Sequence, residues 1–353
     1  MTTNPAKRFG VLLMTYGSPS SLDDVPRYIT AVRGGRVPDE ELVAEFTRRY
    51  RAIGGSPLVE ITAAQAAALE ALLGGRAVVR TGMRFSAPTI VDGLRSLAAA
   101  GVTKVAGIIL SPQYSPLIMG GYGRAVEAAR AELAAAGGVA PEVRIARSWH
   151  LEPTFLDALA GRIAEALATF SQDERDEVPV LLTAHSLPRR VADDEPDYLD
   201  QLAATATEVA RRAGLPAERW TFCWQSAGHE PGEWMKPDFA DLMPLLRAQG
   251  HRSVLVAPVQ FLADHLEILY DVEIGAREQA EAQGMRFARI ESLNTDPRFI
   301  AALASVATAT LAGPAGSSGS SGSSRVAGSS GPAGSSASSG SSASSGLAGS
   351  SVA

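Results

Sequence analysis

The chain has 353 residues, 46% apolar and 20% charged, with a formal net charge of −6. Those are the proportions of a soluble globular protein, and a mildly acidic chain without a Lys/Arg cluster argues against nucleic acid as its main partner. Its single cysteine, Cys223, excludes an intrachain disulfide and any cluster that needs several thiolates.

The opening segment, MTTNPAKRFGVLLMTYG, has only a short apolar run and no cleavage pattern, so no signal peptide is expected. The longest apolar stretch, around 254–263, is too short to span a bilayer and carries Pro258 and Gln260. A cytoplasmic location is the expectation.

In chain order, strands are predicted at 10–15, 77–82, 104–110, 142–146, 178–184, 220–225, 253–259 and 286–291. Several are continuous apolar runs, the pattern of parallel strands covered on both faces. Helices are predicted at 39–52, 63–73, 89–100, 122–136, 153–170, 198–213 and 238–248, with another opening near Asp264 and a last one at 297–311. Ala136-Gly137-Gly138 and Ala213-Gly214 read as helix stops. Alternating β and α elements predict an α/β fold with parallel sheets.

From 313 onward the sequence is almost only Ser, Gly and Ala, with Arg325 the sole charge, a composition with too little apolar surface to order. The expected organisation is an N-terminal α/β domain over 1–150, a C-terminal α/β domain over 151–296, a helix over 297–312 that can pack on the first domain, and a disordered tail over 313–353. An internal echo accompanies this division: 11–19 resembles 180–188, and 109–113 resembles 255–260. Each is an apolar strand ending in a polar, Pro-containing loop. The echo is either a duplication or chance similarity between Val/Leu-rich strands; in two such halves, the loops at the strand ends are where ligands bind.

Those loops hold the candidate chemistry. His185 follows a buried-looking strand; its imidazole either binds a metal or moves protons, or simply bonds backbone. In Asp264-His265-Leu266-Glu267, Asp264 can cap the following helix, and Glu267 and Asp271 share a face that can hold a divalent cation or serve as an ordinary acidic first turn. His265 is expected to point elsewhere on that helix. Tyr16 ends the first strand, where a phenolate can ligate iron or a ring can simply pack. Arg49, Tyr50 and Ser56 flank a glycine loop, and Arg33 stands beside Gly34-Gly35; these can bind carboxylates or remain solvated. Gly120-Gly121-Tyr122-Gly123 lacks a dinucleotide fingerprint, and Ser186 lacks a hydrolase elbow.

Taken in order, Leu182-Thr183-Ala184-His185-Ser186-Leu187-Pro188, the run 258–271 from Pro258 to Asp271, the segment 49–58 and Trp224-Gln225-Ser226 with Trp234 and Pro237-Asp238 resemble the ferrochelatase family over residues 9–307. The resemblance implies two similar Rossmann-like domains with a porphyrin cleft between them, His185 and Glu267 handling Fe²⁺ on one side of the macrocycle, and Tyr16 on the other. It implies that Arg33, Arg49, Tyr50, Ser56 and Tyr122 contact the macrocycle or its carboxylates. The Gram-positive and actinobacterial branch acts on coproporphyrin III, giving iron-coproporphyrin III (coproheme) for later haem-pathway enzymes. Fe²⁺ is then a substrate, and no further cofactor is required. Protoporphyrin IX ferrochelatases and cobalt chelatases of the same fold, and a non-catalytic haem carrier, are the alternatives. Two departures stand out: many actinobacterial relatives hold a two-iron two-sulfur cluster on four cysteines, whereas this sequence has Cys223 alone, and the family's acidic file meets Gly275 one turn beyond Asp271, with Glu278 as the candidate replacement.

Overall fold

A computed structural model describes residues 8–228 and 232–313; the tail expected over 313–353 lies, but for Gly313, outside the described residues. Two four-stranded parallel sheets organise the chain. Strands β1 (Phe9–Thr15), β2 (Ala77–Met83), β3 (Lys104–Ile109) and β4 (Glu142–Ile145) pair in the order β2-β1-β3-β4. Strands β5 (Val180–His185), β6 (Trp220–Gln225), β7 (Ser253–Pro258) and β8 (Arg286–Arg289) repeat that topology as β6-β5-β7-β8. The echoed segments are therefore equivalent strands: β1 with β5, and β3 with β7. Val11, Leu12, Leu13 and Met14 of β1 and all six residues of β5 and of β7 are buried, which is why these strands read as unbroken apolar runs.

The helices are α1 (Val25–Val32), α2 (Glu40–Ala52), α3 (Leu58–Leu73), α4 (Ile90–Ala99), α5 (Pro116–Ala135), α6 (Pro153–Leu167), α7 (Gln172–Arg175), α8 (Arg189–Asp194), α9 (Pro196–Arg212), α10 (Phe239–Ala248), α11 (Arg277–Ala282) and α12 (Pro297–Ala312). A π-helical stretch, Glu267–Ala276, runs directly into α11. Among the described residues, no helix is long and apolar enough to cross a membrane.

Two helices start earlier than their composition predicts. α3 begins at Leu58, immediately after Pro57, because Thr62 and Gln65 are fully buried and tertiary contacts override a β-branched first turn. α5 begins at Pro116, capped by Ser115, whose hydroxyl accepts from the Ile118 N–H at 3.0 Å, and continues through three glycines. At Gly121 a Cβ would lie 2.0 Å from the Arg84 guanidinium, so a larger residue would displace that side chain.

The last helix, α12, packs on α3 and β3 of the first half as well as on α6. One apolar core thus joins both sheets, including Leu13 and Ile108 from the first, Leu182 and Leu255 from the second, and Phe155, Phe299 and Leu303 from α6 and α12. The carboxyl ends of β1, β3, β5 and β7 consequently supply residues to one region.

Candidate active site

A cleft opens at the ends of β1, β3 and β7. Its wall is largely apolar: Ile109, Leu110, Ile118 and Met119 from the first half, Leu262, Ala263 and Leu266 from the second. Tyr16, Tyr28, Tyr50 and Tyr122 add rings, and Glu267, His265 and Gln65 add polar atoms. At Tyr50 and Ser56 it meets a second, more open cleft lined by serines and by Arg27, Arg51 and Arg84. Arg27 is held by Asp24, but among the described residues neither Arg51 nor Arg84 has a carboxylate partner.

His185 is the last residue of β5, not the residue after it, and is only 4% exposed. Its backbone N–H donates to Gln260 Oε1 at 2.8 Å, and its Nδ1 lies 2.6 Å from the Ser186 carbonyl. A carbonyl can only accept, so Nδ1 carries the proton and Nε2 keeps its lone pair. Burial pushes the His185 pKa down, against the attraction of Glu267, leaving a neutral imidazole near pH 7. The His185 side chain does not line the cleft; Phe261, which does, stands edge-on to it with ring centroids 6.2 Å apart.

Glu267 opens the π-helical stretch and is 7% exposed. Its partner is not His185 but His265, whose Nε2 lies 3.0 Å from Oε2, close enough for an ion pair although Oε2 receives no aligned hydrogen bond. The expectation that His265 points elsewhere is thus corrected: residues 264 and 265 precede the helical turn, so helical spacing does not govern where His265 faces. His265 Nδ1 donates to the Ala263 carbonyl at 2.8 Å. Burial opposes charge on both groups, yet their mutual attraction prevails: the His265 pKa is raised and the Glu267 pKa lowered, with His185 adding to the latter. The result is a buried carboxylate held ionised.

Asp264 is not a helix cap either. Its carboxylate accepts from Ser292 Oγ at 2.8 Å and Asn294 Nδ2 at 3.0 Å, and lies 3.4 Å from Arg289. Of the other expected site residues, Tyr16, Tyr50, Ser56 and Tyr122 line the cleft. Arg33, at the end of α1, and Arg49 do not; Arg49 binds Glu45 at 2.7 Å and Asp271 at 3.4 Å, over the Tyr270 ring. Glu278 is exposed on α11. Burial raises the Tyr16 pKa, partly offset by Arg84 and reinforced by Glu267, so the phenol stays protonated. Arg84 stacks over Tyr16, Phe85 and Tyr122 at 4.7–5.8 Å.

Asp271, one turn from Glu267, carries a pH-dependent cost. Burial pushes its pKa up to about 6, with Glu267 adding to the effect and Ser226 and Arg49 opposing it. An acid whose folded pKa lies above its unfolded value destabilises the fold once ionised. The loss therefore develops as pH rises from about 4 to about 6 and is complete above that. Asp271→Asn should gain about 1–3 kcal/mol relative to the parent at pH 7.5 and almost nothing at pH 4. Denaturant titrations at the two pH values check this; an equal difference at both would refute it.

Among the described residues, no three or more His, Cys, Asp or Glu side chains gather as a metal cage. The arrangement is instead an imidazole and a carboxylate, two donors on an apolar cleft.

The comparisons agree with that chemistry. Residues 8–311 match the family model described as ferrochelatase. A relative named ferrochelatase, from Herpetosiphon aurantiacus, is 40% identical over 303 residues, 84% of this chain and 97% of its own length. One named coproporphyrin III ferrochelatase, from a Geobacillus species, is 37% identical over 307 residues, 85% of this chain and 97% of its own. Among solved structures, SirB from Bacillus subtilis with Fe³⁺ superposes with a TM-score of 0.56 at 12% identity, covering 86% of this chain and 96% of that one, a likeness of fold. The chain belongs to the ferrochelatase family.

Proposed function

We propose that this protein inserts Fe²⁺ into coproporphyrin III in the cytoplasm, releasing iron-coproporphyrin III to later haem-pathway enzymes. The observation that carries this reading is the continuity of an apolar, ring-lined cleft reaching an ionised Glu267 with an outer cleft carrying Arg51 and Arg84. A flat macrocycle fits the first, and peripheral carboxylates fit the second.

The free macrocycle carries two inner N–H groups, and two protons must leave as Fe²⁺ enters. The apolar walls favour a puckered ring, which turns a nitrogen lone pair toward the metal; binding energy then serves the transition state. Glu267 takes the ion, because imidazole and carboxylate donors hold a borderline dication without trapping it. His185, neutral with a free Nε2, accepts the first proton, and Glu267 with His265 passes protons outward. Since Phe261 forms the wall at His185, its ring must turn as the macrocycle seats. Tyr16, from the other sheet, meets the iron from the opposite face once it is in the ring.

Protoporphyrin IX, with two carboxylates, would use fewer of the outer cations. Anaerobic Fe²⁺ insertion into each purified porphyrin tests the choice. The coproporphyrin III rate should be about tenfold higher or more, since one charge-assisted hydrogen bond is worth roughly that factor. An equal or faster rate with protoporphyrin IX overturns the preference, and binding without metalation of either would indicate a carrier.

A further inference from the structure

We propose that Gln65 is a further contact for the incoming metal: its amide oxygen accepts a hydrogen bond from a water carried by Fe²⁺ as the ion approaches Glu267. The inference rests on the reading of Glu267 as the metal-handling carboxylate.

Gln65 lies on α3, is fully buried, and lines the cleft together with His265 and Glu267. Its Nε2 donates to the Asn294 carbonyl at 2.8 Å, which fixes the amide orientation because that carbonyl can only accept. The remaining polar atom, Oε1, has no donor within the protein. Buried acceptors rarely stay unpartnered in native structures, so this one signals a ligand or a water.

The orientation is enforced by the loop between β8 and α12, which is hydrogen-bonded to the loop that leads into Glu267. Asn294 adopts a left-handed backbone with φ of 44°. Its N–H donates to the Leu262 carbonyl at 2.9 Å, its Oδ1 accepts from the Asp264 N–H at 3.0 Å, and its Nδ2 donates to the Asp264 carboxylate at 3.0 Å. Asp264 immediately precedes His265, so the Gln65 amide and Glu267 are tied to one framework, and the acceptor keeps its place relative to the carboxylate.

Substrate chemistry selects the donor. The inner N–H protons of a metal-free macrocycle go to His185 in the mechanism above, and its ionised carboxylates are acceptors only. The remaining strong donors among the reactants are the polarised O–H groups of hydrated Fe²⁺. A fixed neutral oxygen on the same cleft as an ionised carboxylate gives a hydrated dication a place to dock before it loses its waters.

The test compares Gln65→Met, which has similar length and no hydrogen-bonding oxygen, with Gln65→Glu, which keeps an acceptor but, when ionised, cannot donate to Asn294. Insertion kinetics are measured anaerobically with Fe²⁺ and in air with Zn²⁺, varying metal and coproporphyrin III separately, on variants whose melting confirms a folded chain. Gln65→Met should raise KM for metal about tenfold and leave KM for porphyrin within about twofold, the size of one lost hydrogen bond. Gln65→Glu should hold KM for metal at or below that of the parent. Equal impairment of both variants would mean that the Asn294 bond alone matters, and a shift confined to KM for porphyrin would place Gln65 on the macrocycle; either result overturns the proposal. Calorimetric titration of the porphyrin-free proteins with Zn²⁺ gives the same comparison without turnover. It therefore separates failure at Gln65 from failure of the parent to metalate any porphyrin.

Discussion

Glu267→Gln should lower the rate of Fe²⁺ insertion by about 10²–10⁴-fold, the usual cost of losing a group that acts in proton transfer, with porphyrin binding almost unchanged. The argument is electrostatic. Glu267 is 7% exposed, yet His265 and His185 outweigh the burial penalty and keep it ionised. Glutamine fills the same space and keeps an oxygen but carries no charge, so an incoming dication meets a neutral wall. The same change withdraws the attraction that raises the His265 pKa, so both halves of the outward proton path are lost together. The apolar walls of the cleft are untouched. Single-turnover mixing of the porphyrin-loaded variant with Fe²⁺, beside a fluorescence titration with porphyrin alone, measures the two effects separately. Insertion within about threefold of the parent would remove Glu267 from the mechanism.

How much of this site the sequence discloses depends on how far each residue's environment is local. The central strands β1, β3, β5 and β7 are the most legible, because nearly all their residues are buried on both faces and that writes an apolar run; the less buried β4, β6 and β8 are read from their place in the alternation of strands and helices. The equivalence of β1 with β5 and of β3 with β7 is legible for the same reason. The starts of α3 and α5 are not, because Thr62 and Gln65 are placed by contacts across the molecule, and Gly121 of α5 packs against Arg84, which arrives from the end of β2.

The candidate site residues show the same division. Glu267 stands on a face that spacing predicts, four residues before Asp271, whose pKa it raises. His265, two residues before Glu267, does not, since helical periodicity is silent on a residue that precedes the turn. Its contact with Glu267 is a tertiary fact. Arg84 and Gln65 carry no local signal at all. One reads as an ordinary strand-end cation, the other as a polar residue in an Ala-rich helix, and only their surroundings distinguish them.

His185→Ala should abolish insertion to a similar extent, about 10²–10⁴-fold, and should do so without the metal-affinity loss expected at Glu267. The distinction follows from geometry. His185 is fixed by its own Nδ1–H on the Ser186 carbonyl and by Gln260 on its backbone N–H, so its free Nε2 is a preset acceptor. Its partner across the cleft wall is Phe261 and not Glu267, which leaves the carboxylate's ion pair with His265 intact when the imidazole is removed. The metal can still dock, but the first inner N–H has no base. Imidazole added to the Ala variant should restore part of the rate, an outcome a merely packing role would not produce. Tyr16→Phe provides the contrast from the opposite wall. It keeps the ring against Phe85, with centroids 5.1 Å apart in the parent, and deletes only an oxygen. Insertion should fall far less than in His185→Ala, while the visible spectrum of bound iron-coproporphyrin III changes, because the axial ligand sets that spectrum. An unchanged spectrum in Tyr16→Phe would place another ligand on the iron. Near-parental turnover in His185→Ala would mean that the proton leaves by way of Glu267 alone, and that the neutral imidazole at the end of β5 serves only to shape the strand's turn.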